Sequence, residues 1–177
     1  KSTRQMMTFQ VGDCFEDVVG PLGRPSEFIH LSPEELKSKS FVFVGGGVGI
    51  APIYPQVKWL AQHGVKPDVI IGARMQSLII FEEELRSVSG HLYVTTDDNS
   101  SGMQGVVTDV LKKLVKEEGK HYDEVIAIGP MIMMKFTTLL AKELGIKCTV
   151  SLNSLMVDGT GMCGACRVSV GGKTLFT

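Results

Sequence analysis

Asp158, Cys163 and Cys166 carry side chains able to bind a transition metal. They stand at D-x4-C-x2-C spacing within Asp158-Gly159-Thr160-Gly161-Met162-Cys163-Gly164-Ala165-Cys166. With cysteine in place of the aspartate, this spacing is the C-x4-C-x2-C of plant-type 2Fe–2S proteins. The interleaved glycines leave room for backbone N–H groups to point at sulfide and thiolate. A structural zinc site draws four ligands, usually from two such pairs, and only this one pair is present. A redox CxxC of the thioredoxin kind stands at a helix start after an early strand, not in a late Gly-rich loop. Asp158 has a second reading, as a turn residue before Gly159 with another ligand supplied elsewhere. A fourth ligand is expected beyond the hairpin-like stretch Arg167 to Phe176, and no cysteine follows it in this chain.

A second constellation is the Gly-rich run Gly45-Gly46-Gly47-Val48-Gly49-Ile50-Ala51-Pro52. Glycines after a strand let the backbone approach a pyrophosphate, and a following helix offers free N–H groups and a positive dipole end. The same run can be no more than a tight turn. Its spacing departs from GxGxxG, because Ile50 or Pro52 falls at the third glycine position. Arg74 stands where a dinucleotide fold usually places an acidic residue, so an ordinary NAD dehydrogenase is disfavoured.

The elements that position these residues follow from periodicity. Phe41-Val42-Phe43-Val44 is a short apolar run of the kind covered on both faces. Pro52 is expected at the first position of the next helix, where Val57, Leu60 and Ala61 form a core stripe and Gly64 a stop. Further strands are expected at Val69–Ile71, Leu92–Thr95, Val125–Ile128 and Cys148–Ser151. Helices are expected around Glu82–Val88, along Val106, Val107, Val110, Leu111, Leu114 and Val115, and along Ile132, Phe136, Leu139 and Leu140 up to Gly145. Five alternations predict an α/β fold, a five-stranded parallel sheet with helices on both faces. Gly45–Pro52, Gly72-Ala73-Arg74, Thr96-Asp97-Asp98 and Gly129-Pro130-Met131 then all fall at carboxyl ends of strands, where such sheets bind ligands. Arg74 is equally readable as a solvated cation, and Asp97 and Asp98 as turn residues.

The run Gly45–Pro52, Gly72–Arg74, Phe81-Glu82-Glu83-Glu84-Leu85, Thr95–Asp98 and Ile128–Met131 with Met134 together resemble the nicotinamide domain of the ferredoxin–NADP reductase superfamily. Residues 40–177 are similar to its flavin- and iron–sulfur-bearing electron-transfer subunits. These include the dihydroorotate dehydrogenase electron-transfer subunit and, closer still, the small subunit of NADH-dependent ferredoxin:NADP oxidoreductase, or sulfide dehydrogenase. The resemblance implies that Gly46–Ile50 contact the pyrophosphate and nicotinamide ribose, and that Gly72–Arg74 flank the adenosine ribose. It implies that Thr96–Asp98 and Gly129–Met131 line the nicotinamide side. An Arg74 contact to a 2′-phosphate would favour NADP, and NAD stays open. Lys1-Ser2-Thr3 looks like the end of a flavin domain's phosphate motif, and residues 18–23 like its final strand and turn. Asp158 is drawn toward the oxidoreductase branch, where an Asp ligand is expected, rather than the dihydroorotate branch with cysteine.

The implied function is an electron-transfer subunit that passes electrons from NAD(P)H through FAD and a 2Fe–2S cluster to a larger partner subunit or ferredoxin. No acid or base is required, since hydride transfer rests on positioning two rings. The alternatives are a diaphorase subunit of a soluble hydrogenase or sulfhydrogenase, and a non-catalytic NAD(P)-sensing module. The expected organisation is a C-terminal remnant of an FAD-binding barrel over 1–30, a polar linker over 33–39, an NAD(P)-binding domain over 40–151, and a truncated cluster-binding segment over 152–177. Both ends read as cut. FAD is therefore expected to be held mostly by residues outside this chain.

Composition excludes several classes. The 177 residues suffice for one domain plus an appendage. A net charge of −1 gives no basis for nucleic-acid binding. No apolar stretch approaches the roughly 20 residues that span a bilayer, and no secretory signal is visible. One CxxC among four cysteines points to a reducing compartment, the cytoplasm. Cys148 reads as a small buried hydrophobe, the methionines as core filler, and His63 as a surface cap at a helix end.

Overall fold

The computed structural model describes residues 2–152, 154–155 and 157–176. The chain forms two compact units: Ser26–Asn153, and Lys1–Pro25 with Ser154–Thr177.

The larger unit is a parallel sheet. Its strands are β1 (Phe41–Gly46), β2 (Asp68–Ala73), β3 (Leu92–Thr96), β4 (Met103–Gln104), β5 (Glu124–Ile128) and β6 (Lys147–Val150). They run β4-β3-β2-β1-β5-β6, every neighbouring pair parallel. The expected sheet of five strands is thus a sheet of six. β4 escapes a periodicity reading because two residues are too few to alternate; it is made by the turn after β3, which brings Met103 opposite Thr95.

β1 is buried along its whole length, as a strand covered on both faces requires. Successive side chains point to opposite faces. Phe41 and Phe43 enter one core with Ile50, Ile53, Val57, Leu60 and Leu85, while Val42 and Val44 enter the other with Val110, Leu111, Leu114, Met134 and Ala141. Besides the five-residue α1 (Ser2–Met6) in the smaller unit, the helices are α2 (Pro33–Ser38), α3 (Ile53–Gln62), α4 (Glu82–Val88), α5 (Val107–Lys116) and α6 (Met131–Leu144). α3 ends on His63, whose Nδ1 lies 2.7 Å from the Trp59 carbonyl, and α6 on Gly145 in the left-handed conformation, as expected.

Four details differ from the sequence reading. The segment 33–39 is a capped helix: Ser32 Oγ accepts from the Glu35 N–H, Glu35 accepts from the Ser32 N–H, and Leu36 joins the core. Such a capping box stabilises a helix too short to show a stripe. Pro52 is the cap residue of α3 rather than its first helical residue, because a 3₁₀ turn over Gly47–Ile50 intervenes. α6 turns its Ile132, Phe136 and Leu139 outward and buries Met134, Thr137 and Ala141. Apolar residues occupy both sides of this helix, so spacing alone cannot select the buried one, and the small Thr137 and Ala141 suit close packing. Cys148 lies on the sixth strand, partly buried, and burial pushes its thiol up.

In the smaller unit β7 (Arg167–Val170) and β8 (Lys173–Phe176) pair antiparallel. Gly171 and Gly172 join them with φ of +56° and +76°, the mirror-image turn that matches strand twist. No strand forms at residues 18–23.

Candidate functional site

Strand order reverses between β1 and β5: β2 and β3 lie to one side of β1, β5 and β6 to the other. At such a switch point the loops leaving adjacent strands diverge and open a crevice at the carboxyl edge. Register brings Gly46 opposite Gly72, Gly45 opposite Ile128, and Ala73 opposite Thr96. The four motifs Gly45–Pro52, Gly72–Arg74, Thr96–Asp98 and Gly129–Met131 therefore share one edge.

The glycines have two separate jobs. A Cβ on Gly49 would stand 2.4 Å from the Ile128 carbonyl oxygen and 2.6 Å from Gly129 Cα, and one on Gly129 would stand 3.0 Å from Gly46 backbone. Gly49 and Gly129 thus let the β1 and β5 loops pack backbone to backbone, and Gly46 makes room for Met133 and Pro130. Gly45 and Gly72 make room for Ile53 and for Val107 with Thr95. Gly47 differs: its φ is +55° and its missing side chain faces open space. Gly47 and the exposed Val48 are where a ligand can approach the main chain.

Two helices begin at this crevice, α3 after β1 and α6 after β5. Neither has a side-chain cap nor an acidic residue in its first turn. Their first N–H groups lack intrahelical partners, so two positive dipole ends and unclaimed donors flank the switch point. Ala51 and Pro52 join the Gly-rich turn to α3, and Ile50 anchors that turn in the core.

The β2 and β3 loops are stitched together. The Asp97 and Asp98 N–H groups donate to the Ala73 and Arg74 carbonyls, both at 3.2 Å. Asp98 accepts the Ser100 N–H at 3.0 Å, and its bonds to the Ser100 side chain and main chain hold its carboxyl below the usual value. Asp98 therefore organises its own turn. The fully buried Thr96 exchanges two hydrogen bonds with Ser101. Arg74 is exposed, and its guanidinium has no acidic partner among the described residues.

Not every expected residue reaches the edge. Pro130 and the exposed Met131 do, but Met134 is 3% exposed and packs in the core. Met133 lies over Gly46 and Gly129 instead; within a run of methionines, spacing does not single it out. The structure adds a parallel stack of Tyr54 on Phe81, centroids 5.4 Å apart, with Phe81 held at φ +58°. A left-handed Phe has no signature in sequence. Ser2 and Thr3 lie exposed on α1, and Lys1 of that motif lies outside the described residues.

In the smaller unit, Asp158 Oδ1 accepts the Thr160 N–H at 2.9 Å and Oδ2 the Cys163 N–H at 3.2 Å. The Thr160 bonds first, then those from Cys163, keep its carboxyl below the usual range. The Ala165 N–H points at Cys163 Sγ, 3.5 Å away. Gly159, Gly161 and Gly164 all have positive φ. Within this unit a cavity of about 440 Å³ is lined by residues including Leu22, Asp158, Cys163 and Cys166. No group of three metal-ligating side chains is assembled among the described residues. The donor set fits a thiophilic cluster in chemistry: two thiols, one carboxylate, and backbone N–H groups aimed at Asp158 and Cys163.

Residues 43–138 match the family described as Oxidoreductase NAD-binding domain. The chain is 61% identical, over 99% of its length and 60% of the relative's, to an uncharacterized protein of the adh 3′ region of Clostridium beijerinckii. It is 47% identical, over 99% of its length and 59% of the relative's, to the dihydroorotate dehydrogenase B (NAD(+)) electron transfer subunit homolog of Thermotoga maritima. The structure resembles a chain of the NADH-dependent reduced ferredoxin-NADP oxidoreductase with a TM-score of 0.83 and 46% identity, covering 99% of this chain and 60% of that one. The chain thus spans about 60% of the length of these relatives. No described helix is long and apolar enough to cross a membrane.

Proposed function

The chain belongs to the oxidoreductase NAD-binding domain family, and from that premise we propose that its carboxyl-edge crevice binds NAD(P)H and presents the nicotinamide for hydride transfer. The observation that carries this reading is the pair of uncapped, acid-free helix starts of α3 and α6 at the switch point, closed by Gly46, Gly49 and Gly129. Gly47, Val48 and Gly49 with Ile50–Pro52 hold the pyrophosphate by main-chain N–H groups. Gly72, Ala73 and Arg74 flank the adenosine ribose. Thr96, Asp97 and Asp98, with Gly129, Pro130 and Met131, wall the nicotinamide side. These groups bind and orient; none is required to move a proton.

The wider reading is an electron-transfer subunit, an NAD(P)H-dependent oxidoreductase component of the cytoplasm, that works with a larger electron-accepting subunit or ferredoxin. FAD and a 2Fe–2S cluster, when bound, supply the conversion from two-electron to one-electron transfer. Asp158, Cys163 and Cys166 would hold the cluster with one further ligand, and Ser2 and Thr3 belong to the flavin side. The likeness in name and structure to electron-transfer proteins supports this.

Calorimetric titration of the chain with NADH and NADPH tests the first claim. Saturable binding of at least one is expected, and Arg74→Ala weakens NADPH alone if the 2′-phosphate is recognised. Absence of binding to both refutes the crevice. Iron and acid-labile sulfide assays on a longer form spanning the relatives' full length test the second. Cysteine substitution at Asp158 is expected to retain the cluster, and serine at Cys163 to lose it.

A further inference from the structure

At the opposite, amino-terminal edge of the same sheet lies a second cavity, of about 470 Å³. Its lining includes Lys37, Lys39, Lys66 and Lys120, His91 and His121, and a single carboxylate, Asp68. The chain as a whole carries a charge of −1, so this gathering of four lysines is local and not a consequence of composition.

The one carboxylate is already engaged. Asp68 Oδ2 accepts from Lys120 Nζ and from the Tyr122 hydroxyl, each at 2.6 Å, and Oδ1 lies 3.0 Å from His91 Nδ1. Lys120 also donates to the Tyr93 hydroxyl at 2.8 Å and lies 5.3 Å from that ring's centroid. Asp123, next to Tyr122, is turned to Ser40, whose N–H and hydroxyl it accepts at 2.7 and 3.0 Å. Lys37, Lys39 and Lys66 enter no ion pair among the described residues.

We propose that this cavity binds a small phosphate-bearing anion, at a site separate from the nucleotide crevice. Like charges gathered on a concave wall focus positive potential into it, and an anion relieves their repulsion. Lysine ammonium groups act as point charges that suit phosphate without the planar fork a carboxylate favours. The partly buried network around Asp68 fixes Lys120 beforehand, which reduces the ordering cost of binding. The volume exceeds one phosphate group and suits a diphosphate or a phosphorylated small molecule.

The probe is inorganic pyrophosphate, titrated into the whole chain by calorimetry. Trp59, the chain's single tryptophan, is a second reporter, since its ring stacks on His63 at 3.8 Å beside the cavity residue Gly64. Saturable binding is expected, weakened at least tenfold in the Lys39→Glu/Lys66→Glu pair and falling steeply with salt. The Lys39→Gln/Lys66→Gln pair repeats the test should charge reversal unfold the chain. NADH affinity is expected to be unchanged in both, which separates this site from the crevice. No heat of binding, or equal affinity in wild type and both pairs, overturns the proposal. Tighter binding of a glutamate-rich peptide than of pyrophosphate also overturns it, assigning the cavity to an acidic protein surface.

Discussion

Gly49→Ala adds one methyl group at the tightest point of the carboxyl-edge crevice. That carbon would lie 2.4 Å from the Ile128 carbonyl oxygen, 2.6 Å from Gly129 Cα and 2.7 Å from the Ile128 carbonyl carbon. All three are main-chain atoms, so no side chain can rotate away. Ordinary contact requires a separation of about 1 Å more. The far wall resists, because Ile128 is held in register with Gly45 across β5 and β1. Overpacking of this kind costs about 2–3 kcal/mol. For a chain of this size that is a fall of roughly 4–12 °C in Tm. A displacement of about 1 Å at the turn also lowers NAD(P)H affinity at least tenfold, as misplacement of binding groups does. Gly47→Ala is the control: nothing lies within 4 Å of its added methyl and only the φ of +55° is disfavoured, a cost of about 1–2 kcal/mol. Thermal denaturation with parallel calorimetry reads both quantities. Should Gly49→Ala melt within about 1 °C of wild type and bind NADH normally, the backbone-to-backbone account of the crevice is wrong.

Three further outcomes are expected. Burial opposes ionisation of Asp68, but Lys120, then Tyr122 and His91, outweigh it and hold the carboxyl below its ordinary value. Its stabilisation is therefore present above the unfolded value near pH 4 and lost as pH falls through the lower folded value. Asp68→Ala, which strands Lys120 and Tyr122, is expected to cost about 2–4 kcal/mol at neutral pH and to flatten the acid limb of urea midpoint against pH; an unchanged limb refutes it. Thr137→Val removes a fully buried hydroxyl with no hydrogen-bond partner among the described residues, and a gain of about 0.5–1 kcal/mol is expected. A loss in the urea midpoint would show that the hydroxyl holds a bound water. Ser32→Ala breaks the capping box of α2 and is expected to cost about 1 kcal/mol by the same measurement.

The sheet was legible in sequence because Phe41–Val44, Val69–Ile71 and Val125–Ile128 are apolar runs too short to be helices and bounded by turn residues. The crevice was legible for the same reason: once the strands are placed, their carboxyl ends follow, and Gly45–Pro52 must sit at one of them. What the spacing did not carry is the division of labour among glycines. Only coordinates separate Gly47, with open space around it, from Gly49, pressed on Ile128. The buried side of α6 was illegible because apolar residues lie on both its sides, and α2 because six residues show no period. The cationic cavity was hidden for a different reason. Its residues come from four separate stretches of chain, and its lysines and histidines are each ordinary surface residues when read alone.

β4 has a consequence beyond completing the count of strands. An exposed sheet edge is a template on which another chain can add a strand. Here one edge is only two residues long, Met103–Gln104, and so offers an incoming segment almost no ladder. At the other edge, β6 carries Lys147, tied to Glu27 at 2.9 Å and Glu124 at 3.2 Å. Both edges are thus poor templates for strand addition, β4 by its length and β6 by the charge at its start. On this account the carboxyl edge, with its two helix N-termini, and the amino edge, with its lysines, would both attract anions.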